Sequence, residues 1–176
     1  MASTSKAAFF LEVRDEFDQG RSVPLLGLPS ESDWALYAPN NFEPVLIHNP
    51  LSHQLYRDTG HYGSRTRFFE LYLKDDSGTP GAITSAEYNG IYVLEEKIKR
   101  DQNRVDIDRL DVEDSTYPTV TGGYLLAIDR SATGEATVTG LTFSTPASIV
   151  YVSPNGFAFT NAARAPQATY IRNYLN

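Results

Sequence analysis

Residues 66–73 read TRFFELYL and residues 87–98 read EYNGIYVLEEKI. Both stretches are dense in aromatic and β-branched residues, the composition of a pleated, half-buried surface. Between them, residues 75–85 carry Gly, Ser, Thr and Pro, so the two are read as antiparallel strands joined by a long hairpin loop. Alternation puts Phe69, Leu71 and Leu73 on one face, predicted to share a core with Ile91 and Val93. Phe68, Glu70 and Tyr72 fall on the other face.

Working outward, residues 9–14 (FFLEVR) form a candidate strand that runs into an acidic turn at 15–20. Residues 24–29 are an irregular apolar link. Ser30-Glu31-Ser32-Asp33 is read as a helix or turn start before Trp34. After Asn40-Asn41 a helix is predicted over about 43–59, closed by Gly60, with Pro50 splitting or restarting it at an Asn49 cap. Leu46, Ile47, Leu51, Leu55 and Tyr56 make its apolar side, which is expected to pack on the sheet. Past an acidic connector, residues 122–129 (GGYLLAID) and 149–152 read as strands. Residues 131–145 are a Gly/Thr/Ser-rich excursion with room for a hairpin of its own. Residues 166–175 read as helix, with Tyr170, Ile171 and Leu175 on one side. The class is therefore α+β, an antiparallel sheet with a packed helix. The pattern stops in mid-helix, from which a piece of a longer domain is expected.

The 176 residues are enough for one domain with a sizeable core. Hydrophobic residues at 41% and charged residues at 21% exclude wholesale disorder. Eleven Tyr and nine Phe against one Met argue for strands over a Leu/Met bundle. No apolar run is long enough to span a membrane, and residues 1–12 do not make a secretion signal. A net charge of −7, without a clustered basic face, argues against nucleic acid. With no Cys, disulfides, thiolate metal sites and Cys nucleophiles are excluded.

Phosphate-loop, dinucleotide-fold, nucleophile-elbow and H-E-x-x-H motifs are absent. His48, His53 and His61 have the wrong spacing for one helix face, so surface or capping roles fit better than zinc. Asp101, Asp106, Asp108, Asp111, Glu113 and Asp114 lack the order of a Ca²⁺ loop and read as a solvated acidic segment. Glu95 and Glu96 are adjacent on a strand and point to opposite faces, so one of them at most serves a given cleft.

The order of segments carries further information. The run from Leu26 through Trp34-Ala35-Leu36-Tyr37, Leu46-Ile47-His48-Asn49 and Thr66-Arg67-Phe68-Phe69 continues into Tyr88-Asn89-Gly90-Ile91-Tyr92, then Glu96-Lys97-Ile98-Lys99-Arg100. With Arg104-Val105-Asp106-Ile107 and Gly122-Gly123-Tyr124-Leu125-Leu126 it closely resembles the spore coat protein H (CotH) kinase family. The resemblance runs from Ser5-Lys6 through Tyr170-Ile171. His48 stands where the family carries Arg, Ala7 replaces a second Lys, and Glu43 replaces an Asp.

The resemblance implies an atypical protein-kinase-like fold that transfers phosphate from ATP, with Mg²⁺ or Mn²⁺, to Ser residues of a partner protein. It implies that residues 1–176 are one partial domain, with an N-terminal lobe at about 1–100 and a connector plus the start of a second lobe at about 101–176. Lys6, Glu96 and Arg67 are the nucleotide-binding candidates it suggests: Lys6 as the phosphate-facing cation, Glu96 at the strand end leading between lobes, and Arg67 on the preceding strand. The family's metal-binding and catalytic aspartates are expected after Asn176, so this chain alone is expected to be inactive, and self-association of a cut domain is expected. The family suggests a spore coat, cell-surface or extracellular setting. The competing reading is a non-catalytic coat or surface assembly or adhesion module. A carbohydrate-binding β-domain, suggested by the many Tyr, is the third; core Tyr account for them more simply.

Overall fold

The structure is a computed structural model that describes residues 6–40, 43, 45–74 and 81–176. The chain forms two compact units, Met1–Ile98 and Lys99–Asn176. Among the described residues it is α+β, with antiparallel sheets and two α-helices.

In the first unit, β1 (Phe9–Glu12), β2 (Asp33–Tyr37), β3 (Thr66–Tyr72) and β4 (Tyr88–Glu96) form one antiparallel sheet in the order β1-β2-β4-β3. The 30–33 segment is thus no helix start. Val23 bridges Glu31, Asp33 opens a strand, and the Trp34 indole N–H donates to the Glu31 carbonyl at 3.1 Å. The 24–28 link closes in a tight turn, Leu28 N–H to Leu25 O at 2.9 Å, with Leu26 and Gly27 both at positive φ. That turn delivers Leu25 and Leu28 onto Trp34, Leu94 and Phe69, the core cluster of this unit.

The β3–β4 pairing is antiparallel as expected, but its register is the other one. Phe69 faces Tyr92 and Leu71 faces Gly90, whereas Phe68 pairs with Val93 and Glu70 with Ile91. Ile91 and Val93 therefore share the face of Phe68, Glu70 and Tyr72, and Ile91 and Leu73 are exposed. A one-residue slip flips every side chain, and apolar residues on both faces at 68–69 and 91–94 left alternation unable to choose. Val93 and Tyr92 are both fully buried, so the middle of β4 is covered on both sides.

Helix α1 (His48–Asp58) is one unbroken piece. Pro50 falls in its first turn, where a backbone N–H has no helical partner to lose. The expected packing of its Leu side is not found. Ile47, Leu51, Leu55 and Tyr56 are all about half exposed, and Pro50 is the buried helix residue. Polar bonds tether α1 instead: the Arg57 guanidinium donates to the carbonyls of Gly63 (3.2 Å) and Ser64. Gly63 permits this approach, because a Cβ there would lie 2.6 Å from the His53 carbonyl oxygen. Gly60 ends the helix at φ +86°, as its sequence position predicts.

In the second unit, β5 (Leu125–Asp129) pairs antiparallel with β6 (Ser148–Ser153), and α2 (Ala165–Leu175) closes a core of Val138, Ile149, Tyr151 and Ile171. The 131–145 excursion contributes a single bridge, Thr137 to Val150, among the described residues. Residues 75–80 of the long 75–85 loop lie outside the described residues. Gln167, fully buried, donates to the carbonyls of Asp111 and Asp114 and accepts from Arg164, fixing the acidic connector to α2.

Candidate functional site

The four-stranded sheet presents two faces with different chemistry. On the Trp34 face, Leu11, Leu25, Leu36, Phe69 and Leu94 line an apolar groove of about 580 Å³, within the range of small-molecule sites. Tyr92 lies on this face beside Phe69, ring centres 6.1 Å apart. Its hydroxyl donates to the Ala7 carbonyl at 2.9 Å, which holds the N-terminal segment against the sheet.

Lys6 is fixed by that segment. Its ammonium donates to the carbonyls of Pro39 (3.2 Å) and Ile91 and sits 4.5 Å from the centre of the Tyr92 ring. Burial lowers its pKa. Gly90 beside it has φ +97°, and a Cβ there would stand 3.7 Å from the Lys6 Nζ. Lys6 therefore stands at one end of the face that carries the groove, with one of its three donors to spare.

Glu96 stands at the other end of β4. It is fully buried, with Arg65 Nη2 at 2.7 Å and the Arg65 Nε and backbone N–H also donating to its carboxylate. The Ser64 hydroxyl donates to the Glu96 carbonyl at 2.9 Å. The partner is thus Arg65, which the sequence reading passed over in favour of Arg67. Arg65 immediately precedes β3, and the antiparallel pairing brings it beside Glu96. Arg67 is exposed, registers with Leu94, and donates to the Thr66 carbonyl at 2.9 Å. Lys6 and Glu96 are separated by five residues of β4, about 17 Å at ~3.3 Å per residue. The three candidates share a sheet but do not converge on one point.

The opposite face holds a pair of carboxyls that the sequence left unassigned. Glu43 is buried and accepts from the Tyr37 hydroxyl and from the Asn49 backbone N–H at 3.2 Å, so it caps the first turn of α1. Burial alone pushes its carboxyl up, but these bonds and the His48 N–H outweigh burial and hold it below its ordinary range. Glu95 is the reverse case. Burial and then the charge of Glu43 push it up to about 7, and its Oε1 is buried with no hydrogen-bond partner. The expectation that Glu95 and Glu96 face opposite ways is met: Glu96 registers with Trp34, Glu95 with Ala35. Among the described residues no three His, Asp or Glu side chains come together to hold a metal ion, and no helix is long and apolar enough to cross a membrane.

A family model described as CotH kinase protein matches residues 1–174. No curated protein and no solved structure matches the chain significantly.

Proposed function

The chain belongs to the CotH kinase family, and on that premise we propose that it forms the nucleotide-covering part of a kinase-like domain that moves the terminal phosphoryl group of ATP to a Ser hydroxyl of a partner protein. The family match over nearly the whole chain is the observation that carries this reading. The apolar groove of Leu11, Leu36, Phe69 and Leu94 suits the flat, apolar faces of an adenine, and Lys6 is the cation on that same sheet face for a phosphate. Glu96 holds Arg65 in place at the strand end, which makes it a positioning residue. Arg67, exposed on β3, is a candidate only for the outer phosphate.

Phosphoryl transfer also requires carboxylates that hold Mg²⁺ or Mn²⁺ and align the hydroxyl. The described residues bring no such set together, and we propose that this chain alone transfers no phosphoryl group. The apolar strip of Ile47, Leu51, Leu55 and Tyr56 on α1 supports self-association.

The test titrates ATP into ¹⁵N-labelled protein. Amide shifts are expected at Leu36, Phe69 and Leu94, with at least fivefold weaker binding in Lys6→Met. Unmoved groove amides, or unchanged affinity in Lys6→Met, would remove the nucleotide placement. Labelled ATP with Mg²⁺ and phosphoserine mass spectrometry then compare this chain with a form carried further along its reading frame. Phosphoserine from the short chain would overturn the assignment of the catalytic groups elsewhere. An inert extended form that contains paired aspartates would favour the non-catalytic assembly module.

A further inference from the structure

The second unit carries a row of tyrosine rings that its core does not explain. Tyr124, immediately before β5, stacks with Tyr170 of α2, ring centres 6.0 Å apart, and Tyr170 stacks with Tyr174 at 6.3 Å. Both pairs of planes lie 22° from parallel, so the three rings keep a common orientation. The Tyr124 hydroxyl donates to the Val120 carbonyl at 3.0 Å, which fixes the first ring. Tyr174, the last, is 74% exposed. The rings line an open depression of about 360 Å³ that also touches Thr121 and Gly122. A second depression of about 390 Å³ shares those two residues and is otherwise lined by Asp108, Arg109, Asp114 and Thr119. A Cβ on Gly122 would meet nothing within 4 Å, so the space where the two meet is open.

We propose that the two depressions together bind a neutral β-1,4-linked oligosaccharide, with sugar rings stacked on Tyr170 and Tyr174 and sugar hydroxyls bonded in the polar half. The C–H bonds on the face of an all-equatorial pyranose are slightly positive and meet the negative face of an aromatic ring. The ring spacings suit successive sugars of an extended chain. A hydroxyl both donates and accepts, and the polar half answers both needs. Asp108 supplies a carboxylate, and Asp114 takes the Asp111 N–H on Oδ2 at 2.7 Å, which leaves Oδ1 to accept from a ligand. Arg109 pairs with Asp111 through Nε at 2.7 Å, which leaves its Nη donors. The Thr119 and Thr121 hydroxyls donate to the Thr116 and Pro118 carbonyls at 3.1 and 2.7 Å, and keep lone pairs for a ligand donor.

Charge selects a neutral ligand. Arg109 opposes a cation, and Asp108 with Asp114 opposes an anion, phosphate included. A proline-rich segment would use the rings but leave the carboxylates and the guanidinium without partners. Every residue of the site lies in Lys99–Asn176. The proposal therefore stands or falls separately from the nucleotide groove of the first unit.

The experiment follows amide shifts of the ¹⁵N-labelled chain with four probes: cellohexaose, chitohexaose, maltohexaose and decaproline. Saturable shifts at Gly122, Tyr170 and Tyr174 are expected with cellohexaose or chitohexaose, and Leu36 and Phe69 should stay unmoved. The tighter of the two assigns the sugar as glucose or N-acetylglucosamine. Maltohexaose, whose α-linkages curl the chain away from an extended shape, should bind at least fivefold more weakly. Tyr174→Ala, an exposed position, should lose at least fivefold in affinity, and Asp108→Ala at least threefold. Gly122→Leu should lose at least tenfold: the backbone there is extended, with φ −123°, so the side chain enters the junction without strain. Unchanged amides at Val138 and Ile171 show that each variant keeps its core. No saturable shift with either β-linked sugar, equal binding of maltohexaose, or full affinity in Tyr174→Ala or Gly122→Leu would overturn the proposal. Shifts with decaproline alone would overturn it in favour of a peptide.

Discussion

Glu43 and Glu95 show how two like residues near one another take opposite protonation behaviour. Glu43 is met by three donors and remains a carboxylate; Glu95 has an unmet oxygen and the field of Glu43 across from it. For a carboxyl raised from 4.5 to about 7, the folded state binds the proton more tightly than the unfolded chain. Stability is then unaffected by Glu95 below about 4.5, falls as pH rises between that value and about 7, and stays flat above it. A rise of that size would be worth about 3 kcal/mol if fully effective, and about 2 kcal/mol once solvent screening of a partly exposed group is allowed for. Glu95→Gln carries no such decline. Urea unfolding should therefore show the variant gaining on the wild type by about 2 kcal/mol between pH 5 and pH 8. A difference that does not change with pH would mean Glu95 titrates as an ordinary surface carboxyl. None of this was legible in the sequence, where Glu95 and Glu96 are neighbours of the same type. What separates them is the partner that folding brings: Arg65 for one, no donor for the other.

At the scale of elements, the strands were legible and their register was not. Aromatic and β-branched density located β3 and β4 to within a residue or two, because that composition suits a half-buried pleat. Register depends on which of two apolar faces is better covered, and that is decided by the Leu25–Leu28 turn, a long-range partner. Helix α1 makes the complementary point. Its apolar side was visible at helical spacing, yet what attaches the helix is Arg57 reaching two carbonyls near β3. Leu55 is 57% exposed, so Leu55→Ala should cost less than about 1 kcal/mol, against the ~2–5 kcal/mol of a buried leucine. Arg57→Ala leaves the carbonyls of Gly63 and Ser64 without their donor and should cost about 1–3 kcal/mol. Thermal unfolding of the two variants checks the ranking. A larger loss in Leu55→Ala than in Arg57→Ala would show that the apolar side of α1 is covered after all.

For the whole molecule, charge is unevenly divided. The unit Met1–Ile98 carries eight Lys and Arg against fourteen Asp and Glu, a net −6, and leaves −1 for Lys99–Asn176. The proposed nucleotide groove and Lys6 belong to the acidic unit, so an arriving Mg-ATP of charge −2 meets one close cation and a diffuse negative field. With Lys6 set aside, the remaining net −7 of the unit at about 20 Å opposes it by about 3 kcal/mol in unscreened water, while the Lys6 cation at about 4 Å favours it by about 2 kcal/mol. Screening separates the two, because it acts on distance. Raising ionic strength from 0.01 M to 0.1 M shortens the Debye length from about 30 Å to about 10 Å. The diffuse repulsion then drops by about 1 kcal/mol and the close attraction by about 0.4 kcal/mol. Mg-ATP should bind about two- to threefold more tightly at 0.1 M salt than at 0.01 M, the reverse of a basic phosphate site. Calorimetric titration at the two salt concentrations, with Mg²⁺ held in fixed excess, measures it directly. Binding that weakens about tenfold with added salt would mean that the phosphates meet several cations rather than Lys6 alone, and the nucleotide would have to be placed elsewhere than on this sheet.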